Sequence, residues 1–175
     1  MLHLSTVEST TLELLKKLQQ LPVLCNTRLV GGTALALQLG HRKSVDLDFF
    51  GQINVDSQDL KEALRTLGTL TILNDSKNIH IYVLNEVKID IVNYTYPWLD
   101  DVVYKDGIRL ASPRDIAAMK ITAIEGRGTQ KYPDSSSFMA MKSLAYFEDA
   151  EEEPMPYMFV DVSWDEIKKS ILSRL

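Results

Sequence analysis

The chain is poor in the features that mark several large classes of protein. One cysteine, Cys25, in 175 residues leaves no intrachain disulfide, so a reducing, cytoplasmic setting is expected, with Cys25 a buried and inert thiol. Long apolar runs are missing too. The longest stretch without a charged residue, Leu29 to Gly40, holds three glycines and is too short for a bilayer, so no membrane span is expected. Met1-Leu2-His3-Leu4-Ser5 has no basic segment leading into an apolar one, and no export signal is expected there. Basic charge is not in excess: 19 Lys and Arg against 24 Asp and Glu leave a net charge of −5, which argues against coating nucleic acid through an overall field. His3, His41 and His80 lack metal-ligand spacing, so zinc is not expected. No G-x-x-x-x-G-K-S/T loop occurs, and no Ser, His and Asp set can be placed as a hydrolase triad. What remains, at 45% apolar and 25% charged residues, is an ordinary globular domain, or a domain with a short appendage, large enough to bury its own core.

The charge is unevenly placed. Lys105, Arg109, Arg114, Lys120, Arg127 and Lys131 face only Asp106, Asp115 and Glu125 in that stretch, six against three, a local +3 that leaves −8 elsewhere. Such a stretch is either a solvated helix face or a local grip on a polyanion. The run from Glu148 to Glu153 before Pro154-Met155-Pro156 reads as a solvated acidic loop.

Along the chain, Ser5-Thr6-Val7-Glu8 has the form of a capping box, and Leu12, Leu15 and Leu18 follow at helical spacing, so a first helix is expected to end near Pro22. Thr27 to Val30 reads as a short strand entering Gly31-Gly32, and Thr33 to Leu39 as a brief helix stopped by Gly40. Val45, Leu47 and Phe49 alternate with Ser44, Asp46 and Asp48, the period of a strand with one buried face. Ser57 is expected to cap a helix over Asp59 to Leu67. Strands are expected over Leu70 to Leu73, Ile79 to Leu84, Val87 to Tyr94 and Ile108 to Leu110, with tight turns at Asn85-Glu86 and Lys105-Asp106-Gly107. Ser112 caps a helix with Pro113 at its first position, predicted to run to about Glu125; Ser136 to Phe147 fits a helix, and Trp164 to Leu172, begun by Ser163, a closing one. Strands and helices alternate without a βαβ period, so the fold class expected is α+β with a mixed sheet: residues 1–111 as the core and 112–175 as a small helical part packed on it.

Three short pieces can carry chemistry. Gly31-Gly32-Thr33 lies where a strand becomes a helix, a turn that lets backbone approach a phosphate while the helix N-terminus and the Thr33 hydroxyl supply donors. Asp46 and Asp48, two apart on one strand, point the same way with roots roughly 6 to 7 Å apart. Their repulsion is relieved by a cation, and two Mg²⁺ ions about 3.5 to 4 Å apart suit such a pair. Asp90 points away from the apolar face made by Val87, Ile89 and Ile91; beside the other two it would complete a trio, share a metal and draw the proton from an attacking hydroxyl. Lys120 and Arg127, seven apart, lie two turns and about 10 Å along one helix face, suited to two phosphate groups. Arg42 and Lys43, just ahead of the acidic strand, are either triphosphate-neutralising or plain loop residues.

In this order, Leu29-Val30-Gly31-Gly32-Thr33-Ala34-Leu35-Ala36-Leu37-Gln38, then Arg42, Ser44 and Asp46-Leu47-Asp48-Phe49-Phe50, closely resemble the nucleotidyltransferase toxins of the AbiEii/AbiGii abortive-infection family, within the polymerase-beta-like nucleotidyltransferase superfamily. The resemblance continues through Asp90, through Ser112-Pro113-Arg114-Asp115-Ile116-Ala117-Ala118-Met119-Lys120, and into Arg127-Gly128-Thr129-Gln130-Lys131. It implies a polymerase-beta-like fold, a twisted mixed sheet flanked by helices. It further implies that Gly31, Gly32 and Thr33 hold the triphosphate with Arg42, Ser44, Lys120 and Arg127 near the nucleotide, and that Asp46, Asp48 and Asp90 bind Mg²⁺ or Mn²⁺. Asp46, Asp48, Asp90 and Lys120 would then be the catalytic set. One departure stands out: after the lysine matching Lys131 the family has an aspartate opening an apolar helix, whereas here Tyr132-Pro133-Asp134 follows, so no role passes to Asp134.

The expected function is a metal-dependent, toxin-like transfer of a nucleoside monophosphate from an NTP to a hydroxyl acceptor, a tRNA or other RNA end being the acceptor the resemblance suggests, with release of pyrophosphate. Two alternatives stay open at this point. One is a non-catalytic member binding nucleotide or a partner in a toxin and antitoxin pair; the other is the same chemistry on a small-molecule or protein hydroxyl.

Overall fold

A computed structural model describes residues 1–120, 157–159 and 161–172. Its elements are α1 (Ser9–Gln20), β1 (Thr27–Val30), α2 (Gly31–Leu39), β2 (Leu47–Gly51), α3 (Ser57–Arg65), β3 (Leu70–Asp75), β4 (Ile79–Leu84), β5 (Val87–Asn93), β6 (Val103–Lys105) and β7 (Ile108–Leu110). A helix over 113–120, α4, and α5 (Trp164–Leu172) complete the set. The strands form one seven-stranded sheet in the order β3-β4-β5-β2-β1-β7-β6. β2 runs parallel to β5 and β1 parallel to β7, while the other neighbours are antiparallel, so the sheet is mixed and the class is α+β.

The period-two pattern decides which face is core. Leu47, Phe49, Ile89, Ile91, Tyr82 and Leu84 are fully buried and join Leu15 and Leu18 of α1 with Leu60 and Leu64 of α3 in one cluster. Burying a side chain of that size contributes about 1.5–3 kcal/mol against the cost of ordering the chain. The residues between them, Asp48, Phe50, Lys88, Asp90 and Val92, therefore share the opposite face. Two-residue turns close the hairpins: Asn85 and Glu86 both have positive φ, as do Asp106 and Gly107.

Several boundaries differ from those the sequence suggests. α1 starts at Ser9 after Glu8, because Leu4–Thr6 forms a 3-10 turn in which the Thr6 hydroxyl donates to His3 O, so Ser5 is not its cap. Asp56, not Ser57, caps α3: its carboxylate accepts from the Gln58 and Asp59 amides. β2 begins at Leu47, leaving Val45 and Asp46 exposed ahead of it. β3 extends to Asp75, and β6 is an added edge strand whose only signal was the turn that follows. Cys25 is exposed rather than buried, since it closes the short turn Pro22–Leu24 between α1 and β1. Near the end of the chain, Lys43 N donates to Tyr157 O and Phe159 N to His41 O, laying residues 157–159 against the loop before β2. The extension of α4 to Glu125, the helix at Ser136 to Phe147 and the loop at Glu148 to Pro156 lie outside the described residues. No helix among the described residues is long and apolar enough to cross a membrane.

α4 is anchored by a compact polar knot. The Ser112 hydroxyl accepts from Asp115 N at 3.0 Å and donates toward the Asp115 carboxylate, which also accepts Leu99 N at 2.7 Å. Asp115 is 4% exposed, so its loss would leave buried donors unpaired. Asp115→Ala is expected to lower stability by about 2–3 kcal/mol in a urea or thermal melt, with Asp115→Asn recovering part of it.

Candidate active site at the β1–α2 turn

β1 passes into α2 with no intervening loop, so the first amides of α2 emerge beside the ends of β2 and β5. Val30 makes no side-chain cap, which leaves those amides without the usual internal acceptor. Gly31 has φ +68°, a left-handed conformation that favours glycine, and a Cβ there would overlap Asp48 Oδ2. A Cβ at Gly32 would overlap the Arg42 guanidinium. The two glycines thus let an acid and a cation lie directly on the backbone, at the positions where the sequence expected a triphosphate to be held.

The parallel pairing of β2 and β5 sets Asp48 opposite Asp90, on strands about 4.8 Å apart, with Val30 across from Asp48 on the other side. Two carboxylates at one level of one sheet face repel each other. Burial first, and then the Asp90 charge, raise the Asp48 carboxyl from its usual range to about 6; Asp46 adds to this, while Lys88 and Lys120 work against it. Asp90 divides its oxygens: Oδ2 receives the Lys88 ammonium at 2.9 Å, and Oδ1 is buried with no partner among the described residues. Asp46 stands one residue ahead of β2, exposed, and its carbonyl accepts the Thr33 hydroxyl. Among the described residues no three His, Cys, Asp or Glu side chains are gathered closely enough to hold a metal ion. The strand pairing therefore brings Asp48 and Asp90 together, while Asp46 approaches from the adjoining loop rather than from the strand itself.

Thr33 and Ser44 are both buried and bonded to each other at 2.8 Å. With the Thr33 proton given to Asp46 O, they tie α2 to the loop that delivers Asp46 and Asp48, and their hydroxyls face inward. Arg42 donates to Lys43 O at 2.7 Å with its guanidinium over Gly32. Lys120, exposed at the last described turn of α4, is close enough for its charge to act on Asp48. Arg127 lies outside the described residues. Lys88 is the site residue that motif reading missed, although its position two before Asp90 places both on one strand face. Burial works against its ammonium, but the Asp90 hydrogen bond and the Asp46 and Asp48 charges outweigh that and raise its pKa.

A second ionic cluster lies on the other face of the sheet, where Asp75 meets Lys61 at 2.8 Å, His80 at 2.6 Å and Tyr82 at 3.0 Å. The Lys61 and Ser57 hydrogen bonds, with those of His80 and Tyr82, hold its carboxyl well below the usual range, so this cluster is internally compensated.

A glycine turn feeding a helix, with paired acids on the neighbouring strands, is an arrangement suited to gripping a polyphosphate and a cation. Residues 13–134 match the model of the nucleotidyl transferase AbiEii toxin family, described as a type IV toxin–antitoxin system, and the chain belongs to that family. An uncharacterized protein of Aquifex aeolicus, aq_aa25, is 31% identical over 187 positions that cover 90% of each chain. Among solved structures, JHP933 of Helicobacter pylori is similar over 66% of this chain at 23% identity and a TM-score of 0.44, and the match spans 57% of the JHP933 chain. A candidate nucleotidyltransferase of H. pylori is similar over 94% of this chain and 91% of its own, at 18% identity and a TM-score of 0.48.

Two expectations follow from this geometry. Gly31→Ala is strained twice, by φ and by the Asp48 contact, and is expected to destabilise the fold by about 1–3 kcal/mol in a thermal or urea melt. The Asp48 carboxyl binds its proton more tightly folded than unfolded, so its stabilising protonation is complete below about pH 4 and lost as pH rises through about 6. At neutral pH the buried charge costs on the order of 3 kcal/mol. Asp48→Asn is therefore expected to melt higher than wild type at pH 7.5 in EDTA, with the difference shrinking towards pH 4; equal melting at both pH values would contradict the charge crowding.

Proposed function

We propose that the chain is a metal-dependent nucleotidyltransferase that moves a nucleoside monophosphate from an NTP to a hydroxyl acceptor. The observation that carries this is the Asp48 and Asp90 pair set against the Gly31-Gly32 turn, within a chain of the AbiEii family. The unpartnered buried Oδ1 of Asp90 and the crowded carboxyl of Asp48 fit a divalent cation, and a set of hard carboxylate oxygens suits Mg²⁺ or Mn²⁺. Asp48 and Asp90 would hold it, with Asp46 joining from the loop. When bound, the metal supplies charge neutralisation at the α-phosphate and alignment of the acceptor oxygen.

The chain's own residues do the rest. The α2 amides and Arg42 grip the triphosphate, with Lys120, and Arg127 beyond the described residues, as further phosphate partners. Thr33 and Ser44 act by holding the loop that aims Asp46 and Asp48. The acceptor oxygen attacks the α-phosphorus, the bond to the β-phosphate oxygen breaks, pyrophosphate leaves, and the hydroxyl proton passes to Asp90. A cognate antitoxin fits the family's type IV toxin–antitoxin description, and an RNA end is the acceptor in this reading.

The test is transfer of label from each α-labelled NTP into total RNA with Mg²⁺ or EDTA. Metal-dependent labelling is expected, falling at least about 100-fold in Asp48→Ala, since even the partners of metal ligands are worth 10–100-fold. Saturable NTP binding without pyrophosphate release, in wild type and Asp48→Ala alike, would identify a binding module instead.

A further inference from the structure

Beyond Asp48 and Asp90, the same sheet face carries Phe50 and Val92 and then, past the end of β5, Tyr94. Phe50 and Tyr94 lie 5.8 Å apart, Tyr94 meets Trp98 at 5.0 Å and Tyr96 at 5.4 Å, and the Arg28 guanidinium stacks 4.2 Å over the Trp98 ring. Arg28, Tyr94, Tyr96 and Trp98, with Asn26, Gln52 and Thr95, line a cavity of about 470 Å³, and Phe50 packs against Tyr94 outside its lining. Tyr96 is 71% exposed at its mouth. Four of the chain's 14 aromatic residues meet here; Phe50 and Trp98 also pack against the core, while Tyr96 stands free of it on the surface.

The chemistry of the lining selects its occupant. The one cation among the described lining residues, Arg28, already spends a donor on Asp100 O at 2.9 Å and its face on Trp98. Asp101 and Asp115 add negative charge beside it. A phosphate is therefore disfavoured, while a neutral planar ring is favoured by the stacking faces. Asn26 and Gln52, whose side chains make no hydrogen bond to the described residues, offer amide edges of the kind that pair with base edges.

Position selects the source. From Asp90 to Tyr94 is four strand residues, about 13 Å. That is farther than a nucleotide's α-phosphate lies from its own base, but within the reach of the next nucleotides of a strand whose end is at the acids.

We propose that this cavity stacks an unpaired nucleobase of a nucleic-acid acceptor, one or two nucleotides behind the reacting hydroxyl. The proposal rests on the nucleotidyl-transfer reading above and names the substrate class of that site. Trp98 and Trp164 are the two tryptophans, so in a Trp164→Phe background Trp98 alone reports on the cavity. The test is quenching of that fluorescence, in EDTA, by a short single-stranded oligoribonucleotide, by an abasic chain of equal length and by NTP. The base-bearing strand is expected to quench and the abasic chain not. Tyr96→Ala should weaken oligonucleotide binding about tenfold, with Tyr96→Phe near wild type and NTP binding unchanged. Equal binding by Tyr96→Ala, equal quenching by the abasic chain, a loss confined to NTP, or quenching by a proline-rich peptide instead of the oligonucleotide would each overturn the proposal. Transfer that persists without dependence on Tyr96 would sink this inference and spare the enzyme; Tyr96-dependent binding without any transfer would do the reverse.

Discussion

The like-charge contact between Asp48 and Asp90 is the constraint around which the molecule is arranged. A sheet gains nothing by placing two half-buried carboxylates at one level of neighbouring strands, and the raised Asp48 carboxyl records the cost. The surroundings manage that cost without removing it. Lys88 neutralises one oxygen of Asp90, Lys120 adds distant positive charge, and the bare α-carbon of Gly31 gives the Asp48 side chain room. One oxygen of Asp90 is left buried and without a partner among the described residues, which is the group the proposed cation would answer.

The supporting structure reads as the means of holding that contact. The apolar residues alternating with the acids, Leu47, Phe49, Ile89 and Ile91, anchor β2 and β5 to the core, so neither acid can slip to the other face without exposing the whole apolar set. Thr33 and Ser44 lock the loop before β2 onto α2, coupling the glycine turn to the acids through two buried hydroxyls. The Ser112 and Asp115 knot fixes the start of α4 and, through Leu99, the aromatic loop beyond β5. Residues 157–159 brace the loop before β2 from outside by pairing with His41 and Lys43. The glycine turn, the acids and the aromatic cavity are thus all carried by one sheet.

Much of this was legible in the sequence. β1, β4, β7 and α5 fall on the residues that periodicity and capping indicate, and the Gly31-Gly32 turn lies at the predicted strand-to-helix junction. The outward direction of Asp48 and Asp90 follows from period two alone. What was not legible depended on partners distant in sequence. That β5 crosses to lie parallel beside β2 is a matter of strand order, which no local pattern encodes. Asp46 reads as a strand residue by alternation, yet Thr33 captures its carbonyl and the ladder starts one residue later. Asp56 displaces Ser57 as a cap because both are good caps and only the backbone geometry decides. Lys88 was visible by period two but belonged to no motif, and the exposure of Cys25 follows from a tight turn that hydrophobicity does not report.

The central claim, that β2 and β5 build a cation-demanding site from Asp48 and Asp90, is tested most directly by titrating Mn²⁺ into the metal-free protein and following the free ion by electron paramagnetic resonance. The account predicts saturable binding by wild type that is weakened by at least about tenfold in Asp48→Asn and in Asp90→Asn, while Asp75→Asn, in the compensated cluster on the other face, binds as wild type does. Binding that is absent in wild type, or that survives both substitutions unchanged, would contradict it.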